Sequence, residues 1–294
     1  GQGVDTVGAQ IAAEVLGGPI EDLSGDIEDT DHSVLEAGMY GSRGTVYAGN
    51  GVKAAAEDAR RQLAGVAAGM LQVKPEELDF RDRRIFVRSD PGKGVAFLDA
   101  VRKSYYDDGR AIYGRGTWAA PFLEVPDFKA SRVIGHPFEF ADIAQAVEVQ
   151  VDPETGKVTV LRSVVADELG RPINPDLLAG QMEGGTMASE GQAYFEEVLI
   201  DKTDQRGKIL NPDFLNYKMP TAMDAPKQQV YHVISPSTHG PFGAKGVGEQ
   251  PTNPTAAAIA NAVYDAIGVR PTSLPFTGEK ILRELKKKNE TSQT

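Results

Sequence analysis

Residues 146–161 read Ala-Val-Glu-Val-Gln-Val-Asp-Pro-Glu-Thr-Gly-Lys-Val-Thr-Val-Leu. Apolar and polar side chains alternate on both sides of Asp152-Pro153-Glu154-Thr155-Gly156, where Pro153 and Gly156 suit a turn. The pattern predicts a β-hairpin over 143–166. Because strand signals this clear stand among helical ones, the fold must mix the two.

After the hairpin, residues 176–193 have helical character, while 194–200 and Gln228–Ile234 are strand-like. A helix is predicted over 254–267, with Pro254 in its first turn and Gly268 at its end. Toward the start, Val4, Val7, Ile11, Ala12 and Val15 are spaced as one face of a helix that Gly17-Gly18-Pro19 stops. A second helix is predicted over the Ala-rich residues 45–71, closed by Pro75. Short strands follow at 78–80 and 84–88, then a helix at 95–107, then an irregular Pro- and Gly-punctuated stretch from 109 to 142. Strands and helices interleave without a regular βαβ rhythm and without an internal repeat, which gives an α+β fold. Two intertwined α+β subdomains are expected, at about 1–142 and 143–294.

The 294 residues carry a formal charge of −11, which leaves nothing broadly basic to neutralise phosphates and speaks against nucleic-acid binding. Lys286-Lys287-Lys288 follow Ile281, Leu282 and Leu285 and fit a solvated helix end. There is no cysteine, so this chain can hold no disulfide, zinc–thiolate site or iron–sulfur cluster. No apolar run reaches the roughly 20 residues of a membrane span, and a cytoplasmic protein is the expectation. The opening Gly-Gln-Gly-Val already stands at the mouth of a helix, which reads as a piece of something larger.

Three glycine-rich segments lie next to predicted helix starts: Gly1-Gln2-Gly3, Gly38-Met39-Tyr40-Gly41-Ser42-Arg43-Gly44, and Gly240-Pro241-Phe242-Gly243-Ala244-Lys245-Gly246-Val247-Gly248-Glu249. Glycines there let the backbone approach a ligand and turn its N–H groups toward an anion at the positive end of a helix dipole. Ser42 and Arg43 add a hydroxyl and a guanidinium. None of the three is a P-loop or a dinucleotide fingerprint. The residues alone leave two readings open, simple turns or the cradle of a large phosphorylated cofactor. Glu249 is open in the same way. It is either a helix-start acid near backbone donors, or a carboxylate partly desolvated beside Phe242 and Val247 and so suited to general-base work. His32, His136, His232 and His239 have no metal-ligand spacing, so a metal would have to arrive with its own ligands.

Six motifs in order decide between these readings. They are Gly-Gln-Gly at 1–3, Gly-Ser-Arg-Gly at 41–44, Gly-Arg-Pro-Ile-Asn-Pro at 170–175, Gly-Gln-Met-Glu-Gly-Gly at 180–185, Asn-Tyr-Lys-Met-Pro at 216–220 and Gly-Ala-Lys-Gly-Val-Gly-Glu at 243–249. From residue 1 to about 285 the chain resembles the molybdenum hydroxylases of the xanthine oxidase and aldehyde oxidase type, in the second (C-terminal) molybdopterin-binding domain of their molybdenum subunit. The resemblance implies molybdenum held by a pterin dithiolene, the pterin carrying a cytosine dinucleotide, with no metal ligand from the protein. It places Gln2 and Gly3 near the metal's oxygen ligands and the pterin. Gly41, Ser42, Arg43 and Gly44 fall around the phosphates, Gln181 at the cofactor from a helix start, and Lys245, Gly246, Val247 and Gly248 in the last cofactor loop. Glu249 matches the family's catalytic glutamate, the base for a water-derived oxygen that attacks an electron-poor carbon.

The same resemblance implies partners. A second molybdopterin-binding chain is expected to supply the N-terminal half, in the split arrangement of nicotinate dehydrogenase. A [2Fe–2S] subunit and an FAD subunit are expected to carry electrons away. The expected substrate is an N-heterocycle such as nicotinate or a purine, with an aldehyde- or thioester-specific member as the alternative. Two other classes remain distinct: a non-catalytic scaffold that clamps the cofactor, and an unrelated phosphate-binding protein.

Overall fold

The computed structural model describes residues 1–25, 29, 31, 38–120, 139–203 and 207–291. His32, His136 and most of the stretch expected to be irregular (121–138) lie outside the described residues. The chain divides into two compact units. The first comprises Gly1–Phe140, Gly170–Asn174 and Ser235–Gly246, and the second Ala141–Leu169, Pro175–Ile234 and Val247–Thr294.

In the first unit, helix α1 (Val4–Leu16) packs on the long α2 (Gly44–Leu71). Gly17 ends α1 at φ 66°, where a Cβ would stand 2.3 Å from the Phe80 carbonyl oxygen, so this helix can stop here only on glycine. Arg60 of α2 crosses back with Nη1 donating to the Val15 carbonyl at 2.5 Å and Nη2 to Asp79 at 2.9 Å. That satisfies one of the carbonyls the end of α1 leaves open. Strands β1 (Leu78–Arg81), β2 (Arg84–Val87) and β3 (Asp90–Ala96) form an antiparallel sheet in that order. Leu63, Val66 and Ala67 of α2 bury against Leu78, Phe80, Ile85 and Val87 of this sheet and Ala100 of α3 (Phe97–Arg102). The helix expected from residue 95 therefore starts later. Val95 and Ala96 are strand residues paired with Ile85 and Arg84, and the helical course of α3 closes in a π turn over Lys103–Asp107.

The second unit is built on the predicted hairpin, β4 (Asp142–Val151) against β5 (Val158–Glu168). Its turn is fixed by Asp152, whose carboxylate accepts the Glu154 and Thr155 N–H groups at 2.8 and 3.3 Å. A bulge leaves Leu161 without a register partner, since Arg162 pairs with Glu148 but Val160 with Val149. This extra residue inverts the alternation. Val158 and Val160 are buried before it, and Ser163, Val165 and Asp167 after it. Strand β6 (Lys227–Val233) joins β5 in parallel after the crossover that contains helix α4 (Pro175–Tyr194). Helix α5 (Thr252–Ile267) ends at Gly268 with φ 64°, and α6 spans Gly278–Thr291. Ile259 and Val263 of α5 meet Val158, Val160, Ala193, Phe276 and Ile281 in one cluster, and Val165, Leu169, Leu178 and Met182 form another. Over 194–200 the expected strand reduces to a single bridge between Ile200 and Ile209. No described helix is long and apolar enough to cross a membrane.

Candidate active site

The first unit holds two of the expected glycine-rich segments and most of the third. Gly3 caps α1 in the left-handed region (φ 86°) with no side-chain cap, and Gln2 before it is exposed. Gly41 and Ser42 also have positive φ (63° and 55°), followed by Arg43 at −84° and an uncapped α2 from Gly44. Successive residues of opposite hand turn their N–H groups to one side, which is an anion-binding nest. A Cβ built on Gly246 would lie 1.7 Å from the Ser42 carbonyl oxygen, so the chain at 246 lies directly on this turn. Beside Gly41 there is open space. A backbone cradle closed on one side and open on the other, at the start of a long helix, fits a phosphate-bearing group.

The side chains of this segment are held by the protein itself. Arg43 donates to the Tyr40 hydroxyl at 3.1 Å and lies over the Tyr47 ring at 4.2 Å. Lys245 donates from Nζ to the Phe140 carbonyl at 2.7 Å. The preceding loop is stiff. Ser237 Oγ accepts the His239 and Gly240 N–H groups at 2.8 Å each and donates to Glu139. Asn50 donates to the His239 carbonyl at 2.8 Å. Phe242 has φ 54°, a costly conformation for an aromatic residue.

Val247, Gly248 and Glu249 belong to the second unit. Val247 packs on the cluster of Val165, Leu169, Leu178 and Met182. The Gly248 N–H donates to Gln250 Oε1 at 3.0 Å, and the Glu249 carbonyl accepts the Thr252 hydroxyl at 2.6 Å. Ser189 of α4 donates to the Thr252 carbonyl at 3.0 Å. The Thr255 hydroxyl lies 2.9 Å from the Pro251 carbonyl and 2.8 Å from Gln145 Oε1, whose amide in turn donates to the buried Ser163 at 2.9 Å. A Cβ on Gly185 would stand 2.3 Å from Pro251 Cγ, so α4 presses directly on the loop. The backbone that carries Glu249 is thus tied to α4, α5 and the sheet, while Glu249 itself is exposed.

Of the two readings the sequence leaves open for Glu249, this unit alone does not supply the desolvated one: Val247 packs on the core and the glutamate is exposed. One expectation needs correction. Gln181 is not at a helix start but is the seventh residue of α4, which begins at Pro175.

Thr186, Glu190 and Asp167 are among the buried polar residues that the sequence did not reveal. Thr186 and Glu190, one turn apart on α4, are 0% and 1% exposed, and their side-chain oxygens have no hydrogen-bond partner of ordinary geometry. Burial pushes the Glu190 carboxyl up to about 7, and the neighbouring Tyr194 hydroxyl offsets this only in part. Tyr194 is raised in turn, by its own burial and then by the Glu190 charge. The available signal was position. Glu190 continues the four-residue spacing of Leu178, Met182 and Thr186 and so lies on the buried stripe. Asp167 is also buried, and His232 Nδ1, opposite it in register, lies 2.9 and 3.1 Å from its carboxylate oxygens. Desolvation raises the Asp167 carboxyl against that hydrogen bond.

Residues 1–226 match the profile of the molybdopterin cofactor-binding domain. The chain is a member of that family, within the xanthine oxidase group of molybdenum hydroxylases. This molybdopterin-binding domain corresponds to the C-terminal part of the group's molybdenum subunit. It is 33% identical to the nicotine 6-hydroxylase large subunit of Paenarthrobacter nicotinovorans, over 97% of this chain and 34% of that protein. It is 31% identical to the carbon monoxide dehydrogenase large chain of Hydrogenophaga pseudoflava, over 98% of this chain and 35% of that one. The crystal structure of quinoline 2-oxidoreductase from Pseudomonas putida 86 superposes with a TM-score of 0.84 at 29% identity, covering 98% of this chain and 35% of that one. The chain therefore spans about a third of the length of the relatives it matches, which are named as large subunits or large chains.

Proposed function

We propose that this molybdopterin-binding domain works within the molybdenum subunit of a hydroxylase that inserts water-derived oxygen into an electron-poor carbon of an N-heterocycle, with Glu249 as the base. The observation that carries the reading is the Lys245-Gly246-Val247-Gly248-Glu249 stretch, where a backbone fixed by Thr252, Thr255 and Ser189 presents one exposed carboxylate. Three of the relatives support the substrate class, since they are named for nicotine, hypoxanthine and quinoline.

In this reading the bound molybdenum–pterin, as its cytosine dinucleotide, supplies activation of the oxygen and takes up two electrons. Ser42 and the N–H groups around Gly41 and Gly44 hold its phosphates, with Arg43 adding positive charge from its tyrosine-stacked position. Gln2, Gly3 and Gln181 line the pterin, and Lys245, Gly246, Val247 and Gly248 form the loop that ends at the base. Glu249 accepts the proton from the attacking oxygen on a carboxylate oxygen. Its fixed backbone keeps that oxygen in place, which lowers the entropic cost of the step. The overall balance is substrate C–H plus water to C–OH, two protons and two electrons. The electrons leave through a [2Fe–2S] subunit and an FAD subunit in this reading, and without cysteine this chain itself can bind no cluster. The rest of the site comes from the part of the molybdenum subunit that this chain does not span.

The test is metal analysis of the complex from its native source, with mass spectrometry of the co-purifying chains and turnover on nicotinate, purines, aldehydes and thioesters. About one molybdenum per chain, an iron–sulfur subunit and turnover on a heterocycle are expected. An active complex without molybdenum contradicts the reading, and turnover confined to aldehydes or thioesters replaces its substrate class.

A further inference from the structure

Beyond its bulge, β5 sets an acid into an apolar face. Val165, Asp167 and Leu169 alternate along one side of the chain, and Asp167 is 1% exposed. Val165 and Leu169, which bracket it, belong to the cluster with Leu178 and Met182 of α4, and Ile143 of β4, Val230 of β6 and Val247 pack on that cluster. A carboxyl group in such surroundings is costly unless it is hydrogen-bonded. His232 of β6 meets it. Its Nδ1 lies 2.9 and 3.1 Å from the two carboxylate oxygens, with the imidazole 19% exposed and the acid wholly buried. Even so, burial raises the Asp167 carboxyl.

Two apolar side chains would fill this place without that cost, since replacing a buried polar pair by apolar residues is often neutral or stabilising. What a hydrogen-bonded pair adds is direction. Its distances and angles admit one alignment of the two strands, whereas apolar contacts tolerate several. The alignment it fixes is the end of the parallel ladder, where Asp167 and His232 form the last pair but one. That end of the sheet adjoins the seat of Val247, two residues before Glu249. After Glu249 the chain is held by the hydrogen bonds of Thr252, Ser189 and Thr255, and before it by the packing of Val247 on the cluster around Asp167.

We propose that Asp167 and His232 are a positioning pair for Glu249: their hydrogen bond fixes the end of the β5–β6 ladder, and with it the apolar seat from which Val247 directs the chain into Glu249. The inference rests on the reading of Glu249 as the base.

The experiment is steady-state kinetics on the assembled, molybdenum-loaded native complex carrying Asp167→Leu together with His232→Leu. The melting temperature should equal or exceed that of the parent, because the buried acid leaves with its partner. Molybdenum content and KM should also match the parent, while kcat falls by about tenfold or more, since a displaced base loses rate and not binding. His232→Asn is the second variant. Its amide nitrogen stands as many bonds from the backbone as Nδ1, so the hydrogen bond to Asp167 can re-form and most of the parent kcat should be kept. Parent-like kcat in the leucine pair overturns the proposal. So does a loss of kcat that comes with lost molybdenum or a lowered melting temperature, which assigns the pair to the fold alone, and so does His232→Asn as impaired as the leucine pair. Glu249→Gln, measured alongside, separates the two failures. If it turns over like the parent, the base reading fails; if it is inactive while the leucine pair turns over like the parent, only the positioning fails.

Discussion

Two glycine-rich segments of this chain are built in opposite ways. At Gly41–Gly44 the proposed role falls to the backbone: a positive φ at Ser42 shapes the turn, its N–H groups are the proposed phosphate donors, and the Arg43 side chain is held by two tyrosines. At Gly248–Pro251 the backbone is held by Ser189, Thr252 and Thr255, and the proposed role falls to the Glu249 side chain. A backbone site fails when space is lost, and a side-chain site fails when its supports are lost. The two should respond to different substitutions.

The largest effect is expected from Gly246→Ala. The added methyl would stand 1.7 Å from the Ser42 carbonyl, a contact only backbone movement can relieve, at a cost of about 3 kcal/mol. Molybdenum retention should fall with the melting temperature, whereas Gly180→Ala, in open space, should leave both unchanged. If Gly246→Ala retains cofactor, the cradle does not depend on that approach.

An effect of similar size, visible only against pH, is expected on α4. The Glu190 carboxyl titrates near 7 in the folded chain against 4.5 ordinarily. The native state therefore holds a proton that the unfolded chain releases over that window, and stability falls as pH rises through it, by about 3 kcal/mol. Denaturant midpoints at pH 5 and pH 8 should differ in the parent and converge in Glu190→Gln. Equal slopes in both would remove Glu190 as the source. Because Ser189, its neighbour in sequence, ties the Glu249 loop, that segment should feel pH more than the Gly41 turn does.

A smaller effect is expected from Thr255→Val, which leaves the Pro251 carbonyl and Gln145 without their hydroxyl partner at a cost of about 2 kcal/mol. Turnover should fall with little change in KM or molybdenum content, and Thr255→Ser should restore it. Unchanged turnover in Thr255→Val would mean that the loop is held without this bond.

The same contrast explains what the sequence revealed. Helices α1, α2 and α5 and the hairpin are close to the expected ranges because periodicity and turn residues are local signals. The sharp turn at Gly41–Gly44 was legible for the same reason, since glycines announce backbone turned to positive φ. The supports of Glu249 were not, because Ser189, Gln145 and Thr255 are ordinary polar residues that meet only after folding. The burial of Asp167 depends on Leu161, a bulge residue with nothing distinctive in its own letters. Strand β3 begins Asp-Pro-Gly-Lys-Gly, the composition of a turn, and Pro91, Gly92 and Lys93 indeed lack a register partner on β2; the strand was missed because its regular pairing starts only at Gly94.

The role of Glu249 as the base is tested most directly by steady-state turnover of Glu249→Gln in the assembled complex, with molybdenum and pterin quantified in the same preparation. Cofactor content equal to the parent and a loss of turnover of about 10²–10⁴-fold or more are expected. Parent-like turnover with full cofactor would contradict that role and leave this chain a scaffold for chemistry done elsewhere.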